Sequence, residues 1–269
     1  MSGVRALRVY LLLAGAAFRA EFQYRGNLFI NILGGLFYQG VGLAFIWAVL
    51  DRFGQVGGWG LSEIAFLYGL RLTAHGLWLL PGHQLVHIDE VVIEGEYDRY
   101  LIRPVSPLVQ LLTRRLRLSA LGDLAGGAVL LALASARAPV DWSPGAVGFL
   151  LLAVVGGALV EGSLQLAASA LAFRMKQVAP IKFAIDMIFS DFGNYPLKIF
   201  GTAAGFGLTF VFPLAFVAYL PATVLLDRED ELAVPVWLGW GAPVAGVLLM
   251  YAAYRFWERQ TRFYESSGH

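Results

Sequence analysis

The chain has 269 residues, of which 58% are hydrophobic and 14% charged, and its mean hydropathy is +0.65. Soluble domains carry about a quarter charged residues, so this composition predicts an integral membrane protein rather than a water-soluble globule. The 20 Lys and Arg nearly balance the 19 Asp and Glu, which disfavours a basic nucleic-acid binder, and the lack of Cys excludes thiol catalysis and thiolate metal sites.

Residues 1–25 are predicted to form an amphipathic helix at the inner membrane interface, with Arg5 and Arg8 toward the headgroups and leucines toward the acyl chains. The same residues imitate a secretory signal peptide. A cleaved signal would place the following segment outside, yet Arg19 and Arg25 flank the first apolar stretch on that side. The interfacial helix is therefore the preferred interpretation.

Five apolar stretches approach the length of about 20 residues that a membrane-spanning helix needs. They are residues 26–50, 64–80, 118–136, 142–173 and 236–256. Fifteen of the 20 Lys and Arg lie in segments assigned to one face, four lie at the other, and Arg71 lies within a stretch. Because positive residues stay cytoplasmic, both termini are predicted to be cytoplasmic, which requires an even number of crossings. Six spans fit.

The remaining apolar block, residues 180–226, is too long for one helix and divides in two ways. Either 180–201 lies flat on the cytoplasmic side and 202–226 crosses, or the first part crosses and the second re-enters from outside. Hydropathy alone favours the flat helix because Lys182 and Asp186 make 180–201 a poor span.

Polar side chains inside the apolar stretches are candidates for a substrate route. Charges in spans are costly and usually face a protein interior or a water-filled path. The alternative is an internal ion pair that holds the bundle together, such as Arg71 with Glu161. The glycine pairs at 34–35, 126–127 and 156–157 are predicted to let helices approach closely. The polar candidates are Arg71, His75, Asp123, Glu161 and Gln165, with Gln39 as a further amide.

Other chemistries have weak sequence support. The chain contains no Gly-x-x-x-x-Gly-Lys-Ser/Thr element, so any ATP use must come from a partner. His83 and His87 have metal-ligand spacing, but Gln84 stands where a zinc hydrolase needs Glu, and a polar cytoplasmic loop is preferred. A Ser163–His75 protease lacks a Gly-x-Ser-x-Gly frame. No metal site is expected.

Two stretches carry a family resemblance. One follows the pattern G-x-x-D-x-x-L-x-R-P-x-x-P-L, with every fixed position filled by Gly95, Asp98, Leu101, Arg103, Pro104, Pro107 and Leu108. The other comprises residues 193–197, 211–216 and 219–222. Together with the six predicted spans, these stretches resemble the permease subunits of bacterial type-2 ATP-binding-cassette exporters over almost the whole chain.

The resemblance implies that the chain pairs with a second permease, identical or related, and that each permease binds a cytoplasmic ATPase carrying Mg-ATP. No cofactor is expected in this chain itself. The segment 82–117 between the second and third spans would receive the ATPase; the alternative is an ordinary solvated loop. The coupling residues that the resemblance implies are Glu94, Gly95, Glu96, Asp98, Arg99, Leu101, Arg103, Pro104 and Pro107.

The resemblance also divides the ambiguous block. It implies a fifth span over 180–194 and an outer re-entrant region over 195–235, of which 195–226 forms the re-entrant helix pair. Asp186 and Asp191 would then need partners within the bundle. The turns of this region are expected at Gly193, Tyr195, Pro196, Pro213 and Pro221.

The sequence therefore predicts an all-α integral membrane protein, a single permease domain over residues 1–269 with six transmembrane helices, an N-terminal interfacial helix and outer re-entrant helices. We expect a transport subunit of a bacterial inner-membrane exporter, without catalytic residues, that moves a hydrophobic or amphipathic substrate. The alternatives are a membrane scaffold or sensor that docks a cytoplasmic partner, and a secondary transporter, which the absence of an evident inverted repeat disfavours.

Overall fold

The structure is a computed structural model. The interfacial helix predicted over 1–25 lies outside the described residues apart from four isolated positions. The structure describes residues 25–114, 117, 120–175 and 177–266, together with Leu12, Gly15, Ala16 and Arg19.

The described residues form an all-helical fold whose α-helices are joined by short 3₁₀ and π turns. In chain order the α-helices are α1 Arg25–Phe53, α2 Leu61–Gly82, α3 Ile88–Ile93, α4 Tyr97–Leu101, α5 Pro107–Thr113, α6 Ala120–Ser135, α7 Pro144–Ala170, α8 Ala179–Phe192, α9 Gly201–Phe206, α10 Tyr219–Leu225, α11 Trp237–Trp240 and α12 Ala242–Gln260.

The six stretches expected to span a membrane are helical and correspond to α1, α2, α6, α7, α8 and α12. Among the described residues, one helical stretch, Pro144–Phe173, has both the length and the hydropathy to cross a bilayer, with 30 residues and a mean hydropathy of 2.0. Ala120–Ser135 and Leu197–Val211 are apolar but shorter.

Local sequence signals explain several helix ends. Ser143 caps α7, where its Oγ accepts a hydrogen bond of 3.1 Å from the Ala146 N–H, and Pro144 follows it at the first helical position. Gly95 follows the end of α3 with a φ of 69°, a left-handed conformation that favours glycine. The π turn Gly207–Val211 follows α9. The next residue, Phe212, is extended, as expected for a residue that precedes a proline.

Helix α2 lies at the centre of the bundle, flanked by α6 and α7. A Cβ on Gly69 would lie 2.7 Å from the Leu131 backbone nitrogen, and a Cβ on Gly76 would lie 2.5 Å from that of Leu124. On the other side of this contact, a Cβ on Gly127 would lie 2.6 Å from the Thr73 nitrogen. The helices can approach this closely only because glycine is present.

The predicted glycine pairs play this role at some positions. Gly127 contacts α2, and a Cβ on Gly156 would lie 2.6 Å from the Pro243 Cα at the start of α12. Gly157 is equally close to the Val217 carbonyl oxygen. At Gly34, by contrast, no described atom lies within 4 Å of an added Cβ, so the role of the pair at 34–35 stays a prediction.

The bundle has two ends, named here by the residues at the ends of α2. At the Glu63 end, Arg228 forms a two-bond ion pair with Glu63 at 2.6 and 2.9 Å. Glu231 binds Arg228 there as well, together with Lys198 and Trp59, at 2.6 to 2.9 Å. These bonds hold the segment after α10 against the start of α2.

Helix α8 and the turn after it run from the His83 end to the Glu63 end. Lys182, in the first turn of α8, donates to the Leu85 carbonyl at the His83 end. Phe189 lies opposite Arg71 near the middle of α2. Lys198 then meets Glu231 at the Glu63 end. The chain therefore traverses the bundle between residues 179 and 198.

The close packing of α2 generates a stability prediction. We expect Gly76→Ala to lower the unfolding free energy by about 1–3 kcal/mol, because its methyl group collides with the backbone of α6 rather than with a movable side chain. The readout is the thermal unfolding midpoint of the chain purified in dodecyl maltoside. Gly148→Ala in α7 is the control, since nothing lies within 4 Å of its added Cβ. Equal midpoints for the two variants would contradict this account of the α2–α6 contact.

Candidate functional site

A cavity of about 880 Å³ lies among α1, α2, α7 and α8. All five polar residues predicted inside the spans line it, namely Arg71, His75, Asp123, Glu161 and Gln165. The other lining residues that the argument uses are Gln39, Tyr68, Trp78, Leu79, Asp186, Phe189, Ser190, Asn194 and Tyr195. The polar side chains of the apolar helices therefore lie together around this cavity.

One face of α2 forms a wall of the cavity. Tyr68, Arg71, His75, Trp78 and Gly82 line it and recur every three or four residues, the spacing of one helical face. The opposite faces of α2 are occupied by the glycine contacts with α6 and α7. The polar residues of α2 consequently share the one face that its neighbours leave open.

Glu161 of α7 binds His75 across the cavity wall. The Glu161 Oε1 lies 2.5 Å from the His75 Nδ1, and Glu161 is 1% exposed. The second oxygen of Glu161 is buried without a partner among the described residues. One turn further along α7, the Gln165 amide donates to Asp186 of α8 at 2.5 Å. Asp186 thus has the bundle partner that its position requires.

Arg71 has no carboxylate partner among the described residues. It is 5% exposed, its Nη1 donates to the Phe189 carbonyl at 3.2 Å, and its Nε is buried without a partner. The suggested Arg71–Glu161 ion pair is wrong, because Glu161 instead binds His75, one turn away on α2. The guanidinium is therefore a buried cation at the cavity wall whose charge no described side chain matches.

Asp123 of α6 is held by an amide rather than by a cation. Gln39 of α1 donates to Asp123 at 2.8 Å and accepts a hydrogen bond of 2.6 Å from the Tyr68 hydroxyl. This chain of bonds joins α1, α2 and α6. An amide orients a carboxylate but leaves its charge in place.

The expected turns of the region after α8 lie partly at the cavity. Tyr195 lines it, and a Cβ on Gly193 would lie 2.9 Å from the Arg71 Cδ, so glycine allows Arg71 to pass close to the backbone. Pro196 is buried at the start of the next helical turn. Pro213 is buried at the start of the turn Leu214–Phe216. Pro221 is buried within α10, Tyr219–Leu225, so the turn predicted there is wrong; proline is tolerated in this first helical turn because its N–H would have no partner within the helix.

The predicted coupling segment forms a separate surface at the His83 end. Glu96, Arg99 and Arg103 line a depression of about 350 Å³ together with Arg114. Arg114 forms two hydrogen bonds with Glu96, at 2.6 and 3.3 Å. Arg99 and Arg103 are exposed and make no ion pair with another described residue. Two guanidinium groups are thus available to a partner.

The other predicted coupling residues have structural positions around this depression. Leu101 and Pro104 are exposed beside Arg103, and Glu94 is exposed at the end of α3. Pro107 begins α5, the position that proline favours. Asp98 accepts a hydrogen bond of 2.6 Å from the Ser266 hydroxyl near the C-terminus.

An aromatic cluster fixes the coupling segment to the bundle. The ring of Tyr97 lies 4.9 Å from those of Phe173 and Tyr264, and the ring of Phe173 lies 5.0 Å from that of Trp257. Tyr97 is 1% exposed, and burial raises the pKa of its hydroxyl. These edge contacts attach α4 to the ends of α7 and α12.

Asp89 links the coupling segment to the start of α8. Its Oδ2 accepts hydrogen bonds from the Val178 and Ala179 N–H groups, both at 2.9 Å, and so caps α8 from a distant part of the chain. Its Oδ1 lies 3.4 Å from the Lys182 Nζ. Lys182 also donates to the Leu85 and Val86 carbonyls at 3.0 and 2.8 Å. Sequence reasoning missed this link because its partners lie 93 positions apart.

Asp89 does not join His83 and His87 in a group of metal ligands. The rings of His83 and His87 meet edge to face at 5.5 Å, while Asp89 is committed to α8 and Lys182. Burial and the nearby Arg117 guanidinium lower the pKa of His83 to about 4. His83 is therefore neutral at neutral pH.

We expect Asp89→Ala to lower the unfolding free energy by about 2–3 kcal/mol, because it removes a helix cap and a partner of the buried Lys182 ammonium. The double variant Asp89→Ala, Lys182→Met should recover much of this loss, because it removes both members of the pair. The measurement is thermal unfolding in dodecyl maltoside. Glu90→Ala, a neighbouring exposed carboxylate, is the control and should change little. Additive effects of the two substitutions would refute the link.

Comparison with known proteins gives one family assignment. A family model described as "ABC-2 family transporter protein" matches residues 36–268, which include the cavity and the coupling segment. No relative is found among the curated proteins.

Proposed function

We propose, since the chain belongs to the ABC-2 transporter family, that it is the transmembrane subunit of an ATP-driven exporter in a bacterial inner membrane. Membership of this family implies a membrane-embedded transport permease. Its substrate would be hydrophobic or amphipathic. The observation that carries the proposal is the polar cavity, whose α8 wall is bonded to the coupling segment through Asp89 and Lys182.

ATP hydrolysis is assigned to a separate cytoplasmic subunit that holds Mg-ATP, because this chain has no phosphate-binding loop. In the proposed mechanism the ATPase docks on the depression around Arg99 and Arg103. Closure of two ATPase subunits would displace the coupling segment, and Asp89 would carry the displacement to α8. The cavity would then open alternately to the two sides.

A second permease chain, identical or related, is proposed to complete the pathway. Phe29 and Phe37 of α1 are 63% and 76% exposed, and Phe183 of α8 is 65% exposed. These helices flank the cavity, so a partner packed against them would close it. The remaining apolar surface would face lipid.

Six transmembrane spans with both termini in the cytoplasm are part of the proposal. The traverse of the bundle by residues 179–198 supports a fifth span there rather than a helix lying flat on the cytoplasmic side. The helical segment 197–211 and the break at Pro213 support an outer re-entrant pair. In this arrangement the Glu63 end faces the periplasm and the His83 end faces the cytoplasm.

The topology is tested by cysteine labelling, because the chain contains no Cys. A cysteine at Ala203, an exposed position after the fifth span, should react with a membrane-impermeant maleimide in cells whose inner membrane is intact. Ile102→Cys, which is 84% exposed in the coupling segment, is the matched control and should react only after permeabilisation. Labelling of position 203 only after permeabilisation would support the flat helix instead.

The coupling role is tested at Arg103. Its guanidinium is exposed and makes no ion pair with a described residue, so Arg103→Ala should leave permease abundance unchanged. Loss of a charge pair with the ATPase should weaken docking by about 2–5 kcal/mol, measured as the affinity of the permease for its ATPase. Arg103→Lys should restore binding only in part, because an ammonium lacks the planar fork.

The control for this experiment is Arg137→Ala, an exposed arginine after α6 on the opposite side. It should bind the ATPase and export at the wild-type rate. An Arg103→Ala variant that also binds and exports normally would show that the segment is an ordinary solvated loop.

A further inference from the structure

The cavity wall carries an uncompensated positive charge. Arg71 is 5% exposed, has one hydrogen bond to a backbone carbonyl, and pairs with no described carboxylate. A buried cation without a counter-ion is unfavourable in a medium of low dielectric constant. A guanidinium is also suited to forked binding of a phosphate or carboxylate. Arg71 therefore offers a site for an anionic group of a ligand.

Other walls of the cavity carry negative charge that is oriented but not neutralised. Asp186 is exposed toward the cavity and binds the Gln165 amide, and Asp123 binds the Gln39 amide. Neither carboxylate forms an ion pair with a described residue, whereas Glu161 is occupied by His75. These carboxylates offer a site for a cationic group.

The α8 residue that Arg71 contacts and Asp186 itself are about one helical turn apart. Arg71 binds the carbonyl of Phe189, and Asp186 lies three residues earlier, which corresponds to about 4.5 Å of rise along the helix axis. Between and around them the cavity presents Tyr68, Trp78 and Leu79 to an apolar body. A single head group carrying both signs of charge fits this wall.

Resting on the proposed function, we infer that the cavity receives a zwitterionic amphiphile, whose anionic group binds Arg71 and whose cationic group binds Asp186. A purely anionic head group would lie against Asp186 and Asp123. A purely cationic one would leave Arg71 without a counter-ion. A phosphocholine-like or phosphoethanolamine-like head group on an apolar chain matches both poles.

The test uses three probes with the same twelve-carbon chain: dodecylphosphocholine, dodecyl phosphate and dodecyltrimethylammonium. Each is titrated below its micellar concentration into the permease purified in dodecyl maltoside, and binding is measured by isothermal titration calorimetry. We expect the zwitterion to bind about tenfold or more tightly than either singly charged probe, since each charged contact contributes roughly that factor.

The variants separate the two poles. Arg71→Gln should weaken the zwitterion and the anion but not the cation, whereas Asp186→Asn should weaken the zwitterion and the cation but not the anion. A general loss of folding cannot produce this crossed pattern. Arg255→Gln and Asp141→Asn, exposed charges outside the cavity lining, are the matched controls and should bind as the wild type does.

Equal affinities for the three probes, or affinities unchanged in both cavity variants, would overturn the inference. Binding needs no ATPase, so its outcome is independent of the proposed function. A crossed binding pattern without ATP-dependent export in the reconstituted complex would leave the head-group site standing and refute export. Export without charge selectivity would refute the head-group site alone.

Discussion

The close approach of α2 to its two neighbours is the constraint on which the rest of the structure depends. Gly69, Gly76 and Gly127 bring the backbones of α2 and α6 into contact, and Gly157 does the same between α7 and the segment before α10. Such contacts replace the hydrophobic driving force that is missing between helices in lipid. They also fix the rotation of α2. One face of α2 packs on the α6 backbone and another packs on α7, so its polar residues lie on the face that borders α8, and the cavity forms there.

Given that rotation, the polar contacts follow from helical spacing. Arg71 and His75 lie one turn apart on α2, as do Glu161 and Gln165 on α7, so the two helices present paired polar positions to each other and to α8. Each side chain must find a partner in the bundle because lipid offers none. His75 and Gln165 satisfy the two carboxylates, and the Phe189 carbonyl satisfies part of Arg71. The set is incomplete, since Arg71 Nε and Glu161 Oε2 have no partner in the described part of the chain.

Hydropathy and motif spacing predicted the helices and the polar residues of the cavity well. The five apolar stretches and the fifth span that the resemblance implied are helical, and the five polar candidates meet at one cavity. The sequence shows how deep a residue lies along a span but not how the helix is rotated about its axis. For this reason Glu161 was predicted to pair with Arg71, although in the structure it binds His75. The Asp89–Lys182 link could not be predicted either. A single carboxylate in a polar segment belongs to no repeating pattern that would indicate its distant partner. The pattern from Gly95 to Leu108 predicted a surface that receives the ATPase. Its local geometry, including the left-handed conformation of Gly95, is known only from the structure.

Helix α8 is bonded to both the coupling segment and the cavity wall. Its first turn is capped by Asp89 of the coupling segment, and its later turns supply Asp186 and the Phe189 carbonyl to the cavity wall. An α-helix transmits an axial displacement along its length, because its hydrogen bonds resist stretching. A movement of Asp89 by one residue rise, about 1.5 Å, would break the hydrogen bonds of Gln165 and Arg71 with α8, which are 2.5 and 3.2 Å long, since hydrogen bonds weaken steeply beyond their usual length. The bonds of α8 at the cavity and the position of the coupling segment would therefore change together if α8 moved. The proposed pathway, which opens to one side at a time, requires such a link, and the proposal therefore assigns the moving part to α8, the shortest of the six long helices.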